Sequence, residues 1–554
     1  MKKYITLIIL VLSAIGSWAC TNIIVGKKAS VDGSVFCSYN NDGYGGYASL
    51  DILPAADYPK GTKLALTRWN YSTPDTIMQA EHTYKVVNRI NEYQVSITET
   101  TFDGRPELVN PQGKINYPQL MELGLQRART AREAIKVMAQ LMDDYGYNSS
   151  GETFSVCDPN EAWIMEIIGK GPGVKGAIWV AIRIPDDCIA VHANQSRIDK
   201  IPFKDKENCM YAKDVVKFAR EKSYFSGKDA DFSFCDAYCP IDFSGRRFCE
   251  ARVWSIMYKL GDKEKMLPYL KFITGESNEK LPLYIRPTKK VSLTDVQNCM
   301  RDHYEDTPLD LSDDYSWGPY ASPYRPGALI YKVDGKEYHN ERPVGTAVSI
   351  FSLVNQLRSW LPDEIGGVEW YGADDATGVS YVPVYCSVER VPDCFDGKRS
   401  EGDTNKFSFK SAHWMCNWVS NMVYPRYNLM IDDLKMFRNE LDKKFQSRQD
   451  SIESKALELY NKNPEEARKM LTAYTDQSAG EMMTRWMDLA QFLIVKYNDL
   501  KVLESEGDKF VEGWGHYHNY PVSDPFRRQA VKSSGNRFLV PQKVSDIHND
   551  VMSK

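Results

Sequence analysis

The chain reads as an α+β protein in which helices cover one side of antiparallel sheet. Three observations predict that class: short alternating strands punctuated by turn signals, a helical pair set between two groups of them, and a long C-terminal stretch with helical spacing. The first strands are expected at Thr21 to Val25 and Ser34 to Tyr39, joined by a turn through Lys27 to Gly33. Two more follow at Tyr84 to Asn88 and Gln94 to Thr100. Tyr117 to Arg129 is predicted helical. Thr130-Ala131-Arg132-Glu133 is a capping-box pattern opening a second helix, with Ala134, Val137, Met138 and Leu141 on one face and Gly146 to stop it. The next strand group comprises Phe154 to Cys157, Trp163 to Ile168, Trp179 to Ile184 and Ile189 to Asn194, separated by Asp-Pro-Asn, Gly-Lys-Gly-Pro-Gly and Pro-Asp-Asp turns. From about Leu267 to Trp370 Pro, Gly, Asp and Tyr dominate, so loops and short elements are expected there. Tyr427 to about Leu500 has helical periodicity, with Leu434, Phe437, Leu441 and Phe445 at core spacing and Pro464 in the first turn of a new helix.

A chain of 554 residues with 43% hydrophobic and 26% charged positions can bury an ordinary core, which excludes a disordered or fibrous protein. Lys and Arg total 69 against 74 Asp and Glu, a formal −5 that becomes about −7 without Lys2 and Lys3. No basic face follows from that balance, and nucleic acid is not an expected partner. Residues 1–19 read as a secretory leader: Lys2 and Lys3 form a positive start, Ile5 to Ile15 an apolar run, and Ser17 and Ala19 place small residues at −3 and −1 of a cut. The apolar run is shorter than the ~20 residues of a spanning helix, so no stable membrane insertion is expected after cleavage. The protein is expected to be exported, to the periplasm or beyond.

That cut would make Cys20 the first residue of the mature chain, which leaves two uses open, lipidation and catalysis. Ser17 and Trp18 depart from the aliphatic and small residues that a lipoprotein signal wants, which disfavours the lipid. The other eleven of the 12 cysteines are scattered and read mostly as small buried hydrophobes; Cys235 and Cys239 are close enough to pair. No ligand set has zinc spacing, so neither metal nor other cofactor is expected, and His516 and His518 read as a surface or packing feature. Gly169 to Gly173 reads as a hairpin turn rather than a phosphate loop.

A terminal cysteine brings two parts of an amide hydrolase in one residue. Its thiol is a nucleophile, and its α-amine, with an ordinary pKa of about 7.7–8.0, is a free base near neutral pH. While Ala19 is attached the nitrogen is an amide without basicity, so leader removal would act as the switch.

The run Cys20-Thr21-Asn22-Ile23-Ile24-Val25-Gly26-Lys27-Lys28-Ala29-Ser30-Val31-Asp32-Gly33-Ser34 resembles the opening of the dipeptidase A family of N-terminal-nucleophile (Ntn) cysteine hydrolases, relatives of secernins and of choloylglycine and penicillin V acylases. Further family-like segments are Asn91 to Thr101, Trp163 to Glu166, Trp179 to Asp187, Ala193 to Arg197, Glu250 to Trp254 and, more loosely, Tyr381 to Tyr385 and the helical region. The resemblance implies an αββα four-layer sandwich with the nucleophile at a strand start, and hydrolysis of dipeptides. With the shift to helical spacing near Tyr427, the chain is expected to divide into a catalytic region over 20–425 and a helical section over 426–554 packed on it. The resemblance assigns Cys20 as the attacking group and Asp42 as an acid close to it, accepting from the terminal ammonium or thiol. Asn194 becomes the amide that donates to the oxyanion or orients the nucleophile. Thr101 or Glu99 lies near where related acylases place another oxyanion group. Relatives often have Arg where this chain has Tyr39, so the cation beside the thiolate would come from Arg247 or Arg252, of which Arg252 lies in the family-like Arg-Val-Trp. Taken without the family, Asp42 and Asn194 read as turn residues and the arginines as members of structural ion pairs.

Three functions remain open to the sequence: an exported cysteine dipeptidase, a hydrolase of non-peptide amides such as acyl-amino acids or bile-salt conjugates, and a surface lipoprotein with Cys20 lipidated. A homo-oligomer is compatible with each.

Overall fold

The structure is a computed structural model that describes residues 20–66 and 75–540; the leader expected at 1–19 lies outside the described residues. Two antiparallel sheets carry the fold. The strands that build them are β1 (Asn22–Val25), β2 (Val35–Asp42), β3 (Ser96–Asp103), β4 (Gly151–Cys157), β5 (Ala162–Gly169), β6 (Ala177–Ile184), β7 (Ile189–His192), β8 (Ser349–Leu357), β9 (Val368–Ala373) and β10 (Val382–Tyr385). One sheet has the order β7-β1-β2-β8-β9-β10, with the short strand Tyr284–Ile285 beside β7. The other runs β6-β5-β4-β3, extended by Cys209–Tyr211 at one edge and by three two-residue strands, Ile90–Asn91, Val86–Val87 and Ile52–Leu53, at the other.

The sheets meet face to face where β1 and β2 lie against β3 and β4. The seam between them is unusually polar. Cys37 Sγ lies 3.3 Å from Thr98 Oγ1, Asn355 donates to Ser96 Oγ at 2.8 Å, and His192 lies between Thr100 and Ser155 hydroxyls, each at 2.7 Å. Burial pushes the His192 imidazole down to about 3, so it stays neutral there.

Helices cover the outer faces. α1 (Tyr117–Arg127) and α2 (Ala131–Tyr145) pack on β3, β4, β5 and β6, making a core of their own with Ile97, Val156, Trp163 and Met165. Thr130 caps α2, its side chain accepting from Glu133 N, and Gly146 ends it at φ +78°. On the other sheet α3 (Ala251–Leu260) packs on β7 and α4 (Leu293–Met300) on β2 and β8. α5 (Ala412–Val423), α6 (Tyr427–Tyr460) and α7 (Pro464–Lys496) cover β9 and β10. Leu434, Phe437, Leu441 and Phe445 of α6 are all buried, and Pro464 opens α7, as the spacing predicts.

The segment expected to be loops departs most from the sequence reading. It holds α4, a small hairpin of Ile330–Val333 with Lys336–His339, the start of β9, and all of β8. β8 pairs with β2 along its length and occupies the middle of its sheet. Polar Ser352, Asn355 and Gln356 interrupt its apolar pattern. Each bonds a distant partner: Ser352 the Tyr381 hydroxyl, Asn355 through its Nδ2 the Ser96 hydroxyl, and Gln356 the Asp32 carboxylate. Every described cysteine is free, Cys235 and Cys239 included. No helix among the described residues is long and apolar enough to cross a membrane.

Candidate active site

Cys20 stands two residues before β1, fully buried, and both ends of its backbone are held. Its nitrogen donates to Asn194 Oδ1 at 2.8 Å, and its carbonyl accepts from Arg252 Nη1 at 2.7 Å. Asn194 follows β7, the antiparallel neighbour of β1, with φ +60°, a left-handed conformation that Asn adopts more readily than most residues. Its Nδ2 donates to Thr101 O at 2.7 Å. The amide oxygen therefore faces the cysteine nitrogen, which is the geometry of an orienting group.

Arg252 lies in the first turn of α3, directly after a π-helical turn at Gly245–Glu250. It is wholly buried, yet each of its hydrogen-bond partners among the described residues is neutral: Cys20 O, Thr21 Oγ1 at 2.8 Å, Ala193 O at 3.3 Å, Asn194 Oδ1 at 2.9 Å and Phe248 O at 2.7 Å. Only a guanidinium has the donors and the planar fork to tie those two strand ends to a helix at once. Burial, then the neighbouring Arg342, lowers its pKa. Arg247 is engaged elsewhere, paired with Glu341.

Asp42 ends β2 and is buried near the thiol. Its carboxylate accepts from Ser349 Oγ at 2.6 Å and from Arg342 Nη2 at 3.2 Å. Burial pushes it up to about 6, against the pull of Arg342, Ser349 and Arg252. Its backbone N–H draws the Cys20 thiol pKa down, while its carboxylate charge pushes it up. Sequence reasoning missed Arg342, which lies 300 positions from Asp42 and in a segment without periodic signal.

Tyr39, where the resemblance led to the expectation of an arginine, lies on β2 three residues before Asp42. Its hydroxyl is 3.8 Å from Cys20 Sγ, donates to Glu99 Oε1 and accepts from Asn41 Nδ2. Glu99 Oε1 is itself 3.7 Å from the sulfur. The thiol therefore sits among acidic groups: burial first, then the Glu99 and Asp42 charges, push its pKa well up, against the Asp42 N–H and the Tyr39 hydroxyl. Such a thiol needs a base to ionise it. Thr101, the other residue expected near the oxyanion, spends its hydroxyl on Glu152 Oε1 at 2.8 Å. Glu152 also escaped the sequence reading, although a Glu within the wholly buried strand Gly151–Cys157 is itself a signal.

A cavity of about 240 Å³ opens beside Asn194, lined by Thr101, Asp103, Gln195, Phe248 and Arg342 among others. Three candidate metal ligands meet elsewhere, Asp199, Cys235 and Asp236, and the Lys280 ammonium stands among them at 3.4, 3.4 and 2.6 Å. His516 and His518 both contact Glu504 at the surface.

Residues 19–440 match the profile of peptidase family C69. The chain belongs to that family, the dipeptidase A family of Ntn cysteine peptidases. This C69 chain is 24% identical to the probable dipeptidase B of Lactococcus lactis subsp. lactis, over 78% of its own length and 90% of that protein. It is 28% identical to a probable dipeptidase of Salmonella dublin, over 70% and 85% of the two chains. Dipeptidase A of Lactobacillus helveticus shares 24% identity over 74% and 83%. At the head of β1 the structure joins Cys20 to Asn194, an amide that lines the cavity.

Proposed function

We propose that this cysteine-type dipeptidase is exported, loses residues 1–19, and hydrolyses dipeptides through a Cys20 whose thiol is the nucleophile and whose freed α-amine is the base. The family and the names of its relatives support the substrate class. The observation that carries the mechanism is the double anchoring of Cys20, its nitrogen on Asn194 Oδ1 and its carbonyl on Arg252. A chain start must be held at both ends if its amine is to stay within reach of its own thiol.

In the proposed sequence the amine takes the thiol proton and the thiolate attacks the peptide carbonyl. The ammonium then protonates the leaving amino acid, and a thioester remains. The amine next takes a proton from water, whose attack frees the second product. Asn194 and Arg252 are positioning residues here, and the Asp42 N–H steadies the thiolate. The helix-covered pair of facing sheets is read as the Ntn αββα sandwich. Residues 20–425 are read as the catalytic region and 426–554 as a helical section packed against it.

Intact mass and terminal sequencing of the protein from its host test the first step: an unmodified Cys20 at the terminus is expected, and a diacylglyceryl adduct would convert the reading to a lipoprotein. Mature Cys20→Ala is expected to lose dipeptide turnover by at least about 10³-fold, and unchanged turnover would remove the mechanism.

A further inference from the structure

We propose that the Glu99 carboxyl, paired with Glu152 beside the Cys20 sulfur, is the subsite that binds the free α-ammonium of the dipeptide and so confines the enzyme to substrates with an unblocked amine. The inference rests on the dipeptidase reading above and deepens it.

β3 and β4 run antiparallel with Thr101 opposite Glu152, so Glu99, two residues earlier on the same face, is the diagonal neighbour of Glu152. Both side chains are fully buried. Each carboxyl acts on the other, drawing the Glu99 pKa down and pushing the Glu152 pKa further up, as two acids close enough to share one proton do. Apart from that contact, Glu99 Oε2 and Glu152 Oε2 receive no N–H or O–H among the described residues. Neither carboxyl forms an ion pair within 4.0 Å among those residues, whereas Asp42, the other acid near the sulfur, has Arg342. Arg89 acts on Glu99 only through space, its Nη1 spent on Asn88 O at 3.5 Å.

A buried negative charge without a counter-ion is costly, and a ligand that brings the missing cation recovers that cost on binding. The place fits the chemistry. In an α-aminoacyl substrate the ammonium nitrogen lies about 2.5 Å from the carbonyl carbon, two bonds away. Attack requires the sulfur within about 3–3.5 Å of that carbon. The ammonium is thus carried to roughly 3–5 Å from the sulfur, in reach of an oxygen that stands 3.7 Å from the same atom. Tyr39 holds that oxygen in place. An acylated amine would present a neutral N–H and added bulk to the same carboxyl.

Mature enzyme assayed on Ala-Ala and on N-acetyl-Ala-Ala tests the subsite. The wild type is expected to prefer the free amine by about 10²-fold in kcat/KM, the scale of a buried charge-assisted hydrogen bond. Glu99→Gln is expected to lose most of that preference through a KM raised for Ala-Ala and not for N-acetyl-Ala-Ala, whatever the lost charge does to the thiol falling on both substrates alike. Glu152→Gln leaves Glu99 as the carboxylate and is expected to keep the preference. If Glu99→Gln changes kcat on both substrates alike and keeps the preference for the free amine, Glu99 serves the thiol alone and the subsite is overturned while the dipeptidase reading stands. A wild type that cleaves only the acetylated compound overturns both. Should Glu99→Gln fail to fold, calorimetry on mature Cys20→Ala gives the same ratio from binding, and equal affinity for the two compounds overturns the subsite.

Discussion

At the residue scale the active-site cluster is held by a few multivalent side chains. Arg252 is the chief of them, since it bonds Cys20 O, Thr21, Ala193 and Asn194 together. A lysine keeps the charge but not the fork, so Arg252→Lys is expected to lower kcat/KM by about 10²-fold with little change in KM, measured by steady-state kinetics. Asn194→Ala is expected to cost on the order of 10²-fold as well. A second readout separates orientation from mere support. Asn194 Oδ1 accepts a hydrogen bond that the protonated amine makes better than the neutral one. Its removal should lower the amine pKa and move the acid limb of kcat/KM toward lower pH; an unmoved limb would deny Asn194 that role. Of this cluster Cys20, Asp42, Asn194 and Arg252 were legible through the family motifs. Glu152 and Arg342 were not, because their roles come from strands and loops that meet only in the folded chain.

At the scale of elements, local signals were read well wherever one residue sets a boundary. Thr130 caps α2 through Glu133 N, although Glu133 turns its side chain to Arg129 N at 2.8 Å instead of closing the capping box. Gly146 ends the helix at φ +78°, and an added Cβ would lie 3.2 Å from Gly113 Cα. Gly146→Ala is therefore expected to destabilise the protein by about 1 kcal/mol or more, read as a lowered denaturant midpoint at unchanged slope. The strands of the first two groups appear within a few residues of their expected places. β8 was missed because its evident irregularity, Ser and Asn among Ile, Phe, Leu and Val, is resolved by partners 29 and 259 positions away. Composition around a strand says little about a strand buried on both faces.

For the whole molecule, burial of carboxyls makes stability depend on pH. Glu166 and Glu369 are each pushed up to about 7 and Asp374 to about 8, in every case chiefly by burial. Their folded pKa values lie above the unfolded ones, so the stability they contribute is present at low pH and lost as pH rises through 7 to 8. His192 and His413, lowered to about 3 and about 4 by burial, act in the opposite sense but only below about pH 6.5, where the unfolded imidazoles take up protons. Melting temperature is thus expected to fall between pH 6.5 and 8.5, and less steeply in Asp374→Asn. A rise over that window in the wild type would contradict the assignment.

The sequence by itself determined what depends on neighbours along the chain: the helix boundaries, the alternating strands, and the family motifs that point to a cysteine peptidase. Tertiary structure alone decided what surrounds the sulfur. Tyr39 and Glu99 reach it from strands of two different sheets, Glu152 stands behind Glu99 on the next strand, and Arg342 reaches Asp42 across 300 positions. Charge and burial act through space, so the environment of a buried thiol is written in the packing of the sheets and not in the order of the residues.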